Sequence, residues 1–153
     1  MGIARIGIGA NLGDPLASVR RALAALERLG TVVRSSSLYR TKAWGVEDQS
    51  DFINAAALLD TGLEPHDLLR ALKELEVELG RTPTFRWGPR AIDLDILAYD
   101  DRRVDDPDLV IPHRDLHRRA FALVPLAEID PAYEEALRGL PPEEVEAVRL
   151  VRA

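Results

Sequence analysis

The 153-residue sequence contains no cysteine, which excludes disulfide bonds and thiolate zinc sites. It has no apolar run long enough to cross a bilayer. Its start, MGIARIGIGANLGDP, lacks the basic region and long apolar stretch of an export signal. These absences predict a cytoplasmic protein without a membrane partner. Lysine is nearly missing: Lys42 and Lys73 are the only two, and arginine supplies the other Lys/Arg charges. Cations are outnumbered, 20 Lys and Arg against 26 Asp and Glu, for a net charge of −6. That balance disfavours a general nucleic-acid binder. Asparagine and glutamine are reduced to Asn11, Gln49 and Asn54. An amide in mid-strand, as at Asn54, therefore calls for a partner.

What is present reads as one domain, 1–153, large enough for a core of its own. Residues 4–10 form a strand. Asp14 can cap a helix that has Pro15 at its first position, with Leu16, Val19, Leu23 and Leu26 at helical spacing and Gly30 at the C-terminal cap. Residues 31–41 are β-branched and alternating, and 51–61 form their hairpin partner across a loop at 42–50. A second helix opens at Pro65, lines up Leu68, Leu72, Leu75 and Leu79, and ends at Gly80. Residues 91–100 are a strand and 114–128 a third helix; beyond Pro131 comes a short helix, or a helix and a strand. The order βαββαβ plus an extension predicts an α+β, ferredoxin-like fold, its antiparallel sheet covered by helices on one face. That architecture hosts many functions, so the chemistry must come from particular residues.

The strand GPRAIDLDILAYD (88–100) carries Asp93 and Asp95 inside an apolar run. Residues two apart on a strand share a face, so the carboxylates project together while Ile92, Leu94 and Ile96 enter the core. Two adjacent carboxylates repel unless a cation lies between them or one is protonated. Mg²⁺, a hard ion that shares carboxylates with substrate phosphates, fits; so does a solvated face ion-paired to arginines. An EF-hand does not fit, because residue 97 is Leu and no calcium-loop glycine follows. Arg81, Arg86 and Arg90 flank the strand. Metal and arginine together stabilise charge on a transferring phosphoryl group. The loop RTPTFRWGPR (81–90), with Trp87, reads either as a lid over a nucleotide or as a surface loop with its tryptophan packed down.

Three other stretches matter. In IPHRDLHRRAF (111–121), His113 stands at a helix entrance, where amides favour anions, and Arg119 follows on the same helix; a structural histidine is the alternative. IGIGANLGD is not a dinucleotide fingerprint, because residue 12 is Leu and Gly13 comes one position late; a tight strand–turn–helix accounts for it. In TKAWGVEDQSDFINAA (41–56), Phe52 and Asn54 share a strand face. An aromatic face can cover a flat heterocycle while an amide reads its edge; core packing and a turn role are the alternatives.

Together these segments resemble the 6-hydroxymethyl-7,8-dihydropterin pyrophosphokinases of folate biosynthesis. RWGPRAIDLDIL (86–97) is similar to that family's signature, and GANLGD, SSLYRT…DFINAA and PHRDLHRRAFALVPL follow in matching order and spacing, up to about residue 130. The resemblance implies transfer of the terminal pyrophosphoryl group of ATP to a pterin hydroxymethyl group, with AMP released, by a monomer. It implies that Asp93 and Asp95 hold two Mg²⁺ ions, and that Arg81 and Arg90 bind phosphates near the reacting centre. It places Arg86 and Trp87 on a catalytic loop and His113 and Arg119 on the triphosphate. Lys73, Glu76, Ile96, Val110 and Arg114 would line the nucleotide pocket. Thr41, Lys42, Trp44, Phe52, Asn54, Trp87 and Phe121 would form the pterin pocket, with Phe52 and Phe121 sandwiching the ring. TKAW stands where many family members have a proline pair after Thr, and Asp108 stands where some relatives carry a basic residue.

Three other readings compete with this one. A ferredoxin-like binding module without chemistry leaves the paired aspartates and clustered arginines unexplained. An RNA-binding sheet would need exposed aromatics and positive charge where Asp93 and Asp95 stand. A two-metal transferase acting on another substrate is the enzymatic rival.

Overall fold

The computed structural model describes residues 2–42, 51–80 and 91–151. Strand β1 (Gly2–Ala10) alternates Ala4, Ile6, Ile8 and Ala10 with Arg5, Gly7 and Gly9. One face of it is therefore apolar and buried, and the other nearly bare. Asp14 caps α1 (Pro15–Ala25): its Oδ1 accepts the Ala17 N–H at 3.2 Å, and Pro15 opens the helix. A 3₁₀ turn, Leu26–Arg28, extends it. Gly30 follows without the positive φ of a helix-capping glycine. Its need is a close approach instead, since a Cβ there would lie 2.2 Å from the Asp60 carbonyl oxygen.

The strand expected over 31–41 is split into β2 (Thr31–Ser35) and β3 (Tyr39–Thr41). Ser36 interrupts it. Its Oγ accepts the Ala56 N–H at 2.8 Å and its own N–H reaches the Ala56 carbonyl at 2.9 Å, so a side chain takes over one backbone pairing. Both pieces pair antiparallel with β4 (Phe52–Thr61), as the hairpin reading predicts. Helix α2 (Pro65–Glu78) buries Leu68, Leu72 and Leu75, and Gly80 follows it at φ +100°. Among the described residues, strand β5 (Asp93–Tyr99) lies at the sheet edge; the order is β5-β1-β4-β3, followed by a C-terminal strand beside β3, with β2 also along β4. A hairpin, β6 (Val104–Asp106) and β7 (Leu109–Ile111), forms a second small sheet.

The continuous helix expected over 114–128 is replaced by a 3₁₀ turn, Leu116–Arg118, and then α3 (Ala120–Ile129). Local bonds explain the break. The Asp115 N–H turns to His113 Nδ1 and the Leu116 N–H to the His113 carbonyl, while Arg119 is extended. After α4 (Glu134–Arg138) and α5 (Pro142–Glu146), β8 (Arg149–Leu150) pairs with β3.

The helices of the βαββαβ motif, α1 and α2, lie together on one sheet face. Ile6, Ile8, Ile53, Leu59, Leu94 and Ile96 meet Val19, Leu26, Leu68 and Leu72 there. Each such buried side chain contributes roughly 1.5–3 kcal/mol. The extension covers part of the opposite face: Ala56 and Leu97 pack against Leu116, Leu123, Leu126 and Ile129. The sheet is thus a middle layer, and the polar residues gather on the part of that second face that none of these described helices covers.

Candidate active site

The bare face of β1 forms the floor. Register sets Gly9 beside Asp93 on β5 and Asn54 on β4, and Gly7 beside Asp95 and Ala56. Paired residues point to the same side, so two carboxylates, two glycines and an amide share one surface. Two strand spacings, about 10 Å, separate the carboxylate column from Asn54. A Cβ on Gly9 would stand 3.0 Å from Asn54 Oδ1, and one on Gly7 3.2 Å from Leu97. The glycines keep this space open. Sequence reading gave them no role beyond the turn, although glycine at alternate positions of an otherwise apolar strand was a visible signal.

Asp93 and Asp95 are half-buried on the face of Gly7 and Gly9, while Ile92, Leu94 and Ile96 are buried on the other, as alternation predicts. Burial, then the neighbouring Asp93, push the Asp95 carboxyl up to about 7. Glu76 adds to this; Lys73 and Arg119 oppose it. A pair of oxygen donors that is costly to ionise without a counter-charge fits a hard divalent cation. Glu76 is only 2% exposed. Its Oε2 accepts the Leu94 N–H at 2.7 Å, and Lys73 Nζ lies 3.3 Å from its Oε1.

Across the floor, Asn54 is 6% exposed and its Nδ2 donates to Thr41 Oγ1 at 2.8 Å. That bond fixes the amide and aims Oδ1 over Gly9. Thr41 pairs with Phe52, which lies half-buried on the Asn54 side of β4. Phe121, 39% exposed, stands in the first turn of α3, with the Arg119 guanidinium 5.6 Å from its ring centre. Lys42 is exposed.

The segment 111–121 is arranged differently from its expected helix. His113 does not open α3. Its N–H donates to the Leu97 carbonyl at 2.8 Å, tying it to the carboxylate strand. Burial, then Arg119, hold its pKa below the ordinary histidine value. Arg119 caps α3 and bonds Asp115 Oδ2 at 3.1 Å. Arg114 is exposed and Val110 half-buried, while the Ile96 side chain lies in the core. Asp108 sits near His66, 3.8 Å from its Nε2, with Asp106 at 2.8 Å. Arg81, Arg86, Trp87, Arg90 and Trp44 lie outside the described residues.

A sequence model of the 7,8-dihydro-6-hydroxymethylpterin-pyrophosphokinase (HPPK) family matches residues 5–131. The chain belongs to the HPPK family. It is 46% identical to the 2-amino-4-hydroxy-6-hydroxymethyldihydropteridine pyrophosphokinase of Methylorubrum extorquens, over 95% of this chain and 98% of that protein. It is 38% identical to the Aquifex aeolicus enzyme of the same name, over 90% and 89%. The fold is similar to a crystal structure of an HPPK-DHPS in complex with substrates (TM-score 0.72, 14% identity, 90% of this chain and 43% of that one). It is also similar to wild-type Plasmodium falciparum HPPK-DHPS (0.68, 17%, 87% and 38%). The chain thus spans about two fifths of those longer chains. As an HPPK it transfers pyrophosphate from ATP to 6-hydroxymethyl-7,8-dihydropterin, releasing AMP, in folate biosynthesis. No helix among the described residues is long and apolar enough to cross a membrane.

Proposed function

We propose that HPPK chemistry here runs across the glycine floor, with polyphosphate and two Mg²⁺ ions on the Asp93–Asp95 side and pterin on the Asn54–Phe52 side. The observation that carries this is the register: one strand of small residues separates the carboxylates from the amide by about 10 Å. A flat bicyclic ring at Asn54 can thus point its hydroxymethyl group toward the carboxylates. When bound, Mg²⁺ neutralises polyphosphate charge and orients the β-phosphorus for in-line attack. The hydroxymethyl oxygen bonds to that phosphorus as the bond to the oxygen joining the α- and β-phosphates breaks; AMP leaves with that bond's electron pair, and the hydroxyl proton is released to water.

The chain's own residues position the reactants. Thr41 holds Asn54 so that its Oδ1 can accept from the amino-pyrimidine edge. Phe52 and Phe121 cover the ring, with Lys42, Trp44 and Trp87 completing the pocket. Arg81 and Arg90 bind phosphates at the reacting centre, aided by Arg86, His113 and Arg119. Lys73, Glu76, Ile96, Val110 and Arg114 border the nucleotide. Ile96 meets it through its backbone, since its side chain is in the core. Residues 1–153 act as one unit, a cytoplasmic monomer with no nucleic-acid partner.

The test supplies ATP, Mg²⁺ and the hydroxymethyl-dihydropterin and identifies the nucleotide product. AMP formed only when pterin is present is the expected result. ADP, or product formed without pterin, would overturn the assignment.

A further inference from the structure

The two carboxylates lie on an edge strand, which among the described residues has one sheet neighbour, β1, and an outer row of backbone groups that need other partners. Leu94 lies between Asp93 and Asp95, and its N–H points to that outer side. Glu76 of α2 reaches it: Oε2 accepts the proton at 2.7 Å from a side chain that is 2% exposed. Placing a carboxylate there is costly. The neighbouring buried positions of α2, Leu68, Leu72 and Leu75, are apolar, and another leucine would extend that face without the cost. What the acid supplies is a charge-assisted bond, shorter and stronger than a neutral one, to the peptide unit joining Asp93 to Leu94.

We propose that Glu76 is a positioning residue for the metal pair. It locks the peptide plane between the two aspartates and so fixes the direction in which each carboxylate leaves the strand. The aspartates repel each other, and without the lock the edge strand is free to twist and splay them. Lys73, 3.3 Å from the other Glu76 oxygen, offsets part of the buried charge. Glu76 thus acts on the cation through the strand. This rests on the reading that Asp93 and Asp95 hold Mg²⁺.

Two variants separate the bond from the packing. Glu76→Met fills the space but accepts no proton; Glu76→Gln keeps an acceptor of the same shape. Two quantities are read: Leu94 amide exchange by NMR and the Mg²⁺ half-saturation for binding α,β-methylene-ATP by calorimetry. The Met variant should exchange the Leu94 amide at least about tenfold faster. It should need about 10–100 times more Mg²⁺, the usual cost of losing a residue that supports a metal ligand. Gln keeps the acceptor without the charge, so it should fall between Met and the parent in both. Unchanged exchange and half-saturation in the Met variant would overturn the proposal, as would a Gln variant as impaired as Met. The parent alone also tests it, whether or not a variant folds: its metal-free Leu94 amide must be protected, and rapid exchange there refutes the lock. Analogue binding by the parent that ignores Mg²⁺ would instead remove the metal reading beneath it.

Discussion

Asp95 is an anion in surroundings that resist it. Its carboxyl is lifted from the ordinary 3.8 to about 7, by burial first and Asp93 second. The sign for stability follows. Between those two values the unfolded chain is ionised at this position while the folded chain holds the proton. Folding therefore takes up a proton, and stability falls as pH rises toward 7, levelling off above it. Without metal, Asp95→Asn should melt above the parent at pH 8 by at least about 2 °C, the shift that about 1 kcal/mol gives a chain of this size. The gap should close toward pH 4. Thermal melts in a chelator measure it, and a variant less stable than the parent at pH 8 would contradict the electrostatic account. Cation binding displaces the same proton, so Mg²⁺ affinity should weaken as pH falls below 7.

At the scale of elements, α3 is fastened to the strand that carries Thr41. Glu128 near the end of α3 accepts from the Ser37 N–H at 2.9 Å, from Ser37 Oγ at 3.2 Å and from the Tyr39 hydroxyl. Burial, then that bond to Glu128, raise the Tyr39 pKa. Tyr39 pairs with Asn54 across the sheet. One side chain thus couples the helix whose first turn carries Phe121 to the strand beside the amide. Glu128→Ala should cost about 1–2 kcal/mol in chemical denaturation, since several exposed bonds are lost together. It should also raise KM for the pterin more than KM for ATP. An equal rise in both would mean that α3 does not serve the pterin side specifically. Nothing in the sequence announces this contact, because its partners stand 91 and 89 residues apart.

Over the whole molecule, the family match ends at residue 131, yet the chain past it returns to the sheet. Tyr133, Ala136, Leu137 and Leu140 pack on the second core, and β8 pairs with β3. The Arg5–Asp130 ion pair, at 3.1 Å, joins β1 to the end of α3 before that return. Removing residues 132–153 should lower the melting temperature by about 4 °C or more, as loss of about 2 kcal/mol would. AMP release should stay pterin-dependent, because the glycine floor and both flanking strands remain. Loss of all turnover in a folded truncated protein would show that the extension is part of the site. Alternation alone placed Asp93 and Asp95 together and set Leu94 opposite them; helix caps at Asp14, Pro15 and Pro65 were legible for the same local reason. The interruptions at Ser36 and Asp115 were not, because side chains there bond backbone in competition with the regular ladders. Element order, the apolar faces and the resemblance to HPPK follow from spacing within short segments and so were legible in the chain. The placing of Gly7 and Gly9 between carboxylates and amide, the bond from the aspartate strand to Glu76, and the seating of α3 on part of the second face came only with the fold. Those are contacts between residues distant along the chain, and strand register and burial alone bring them together.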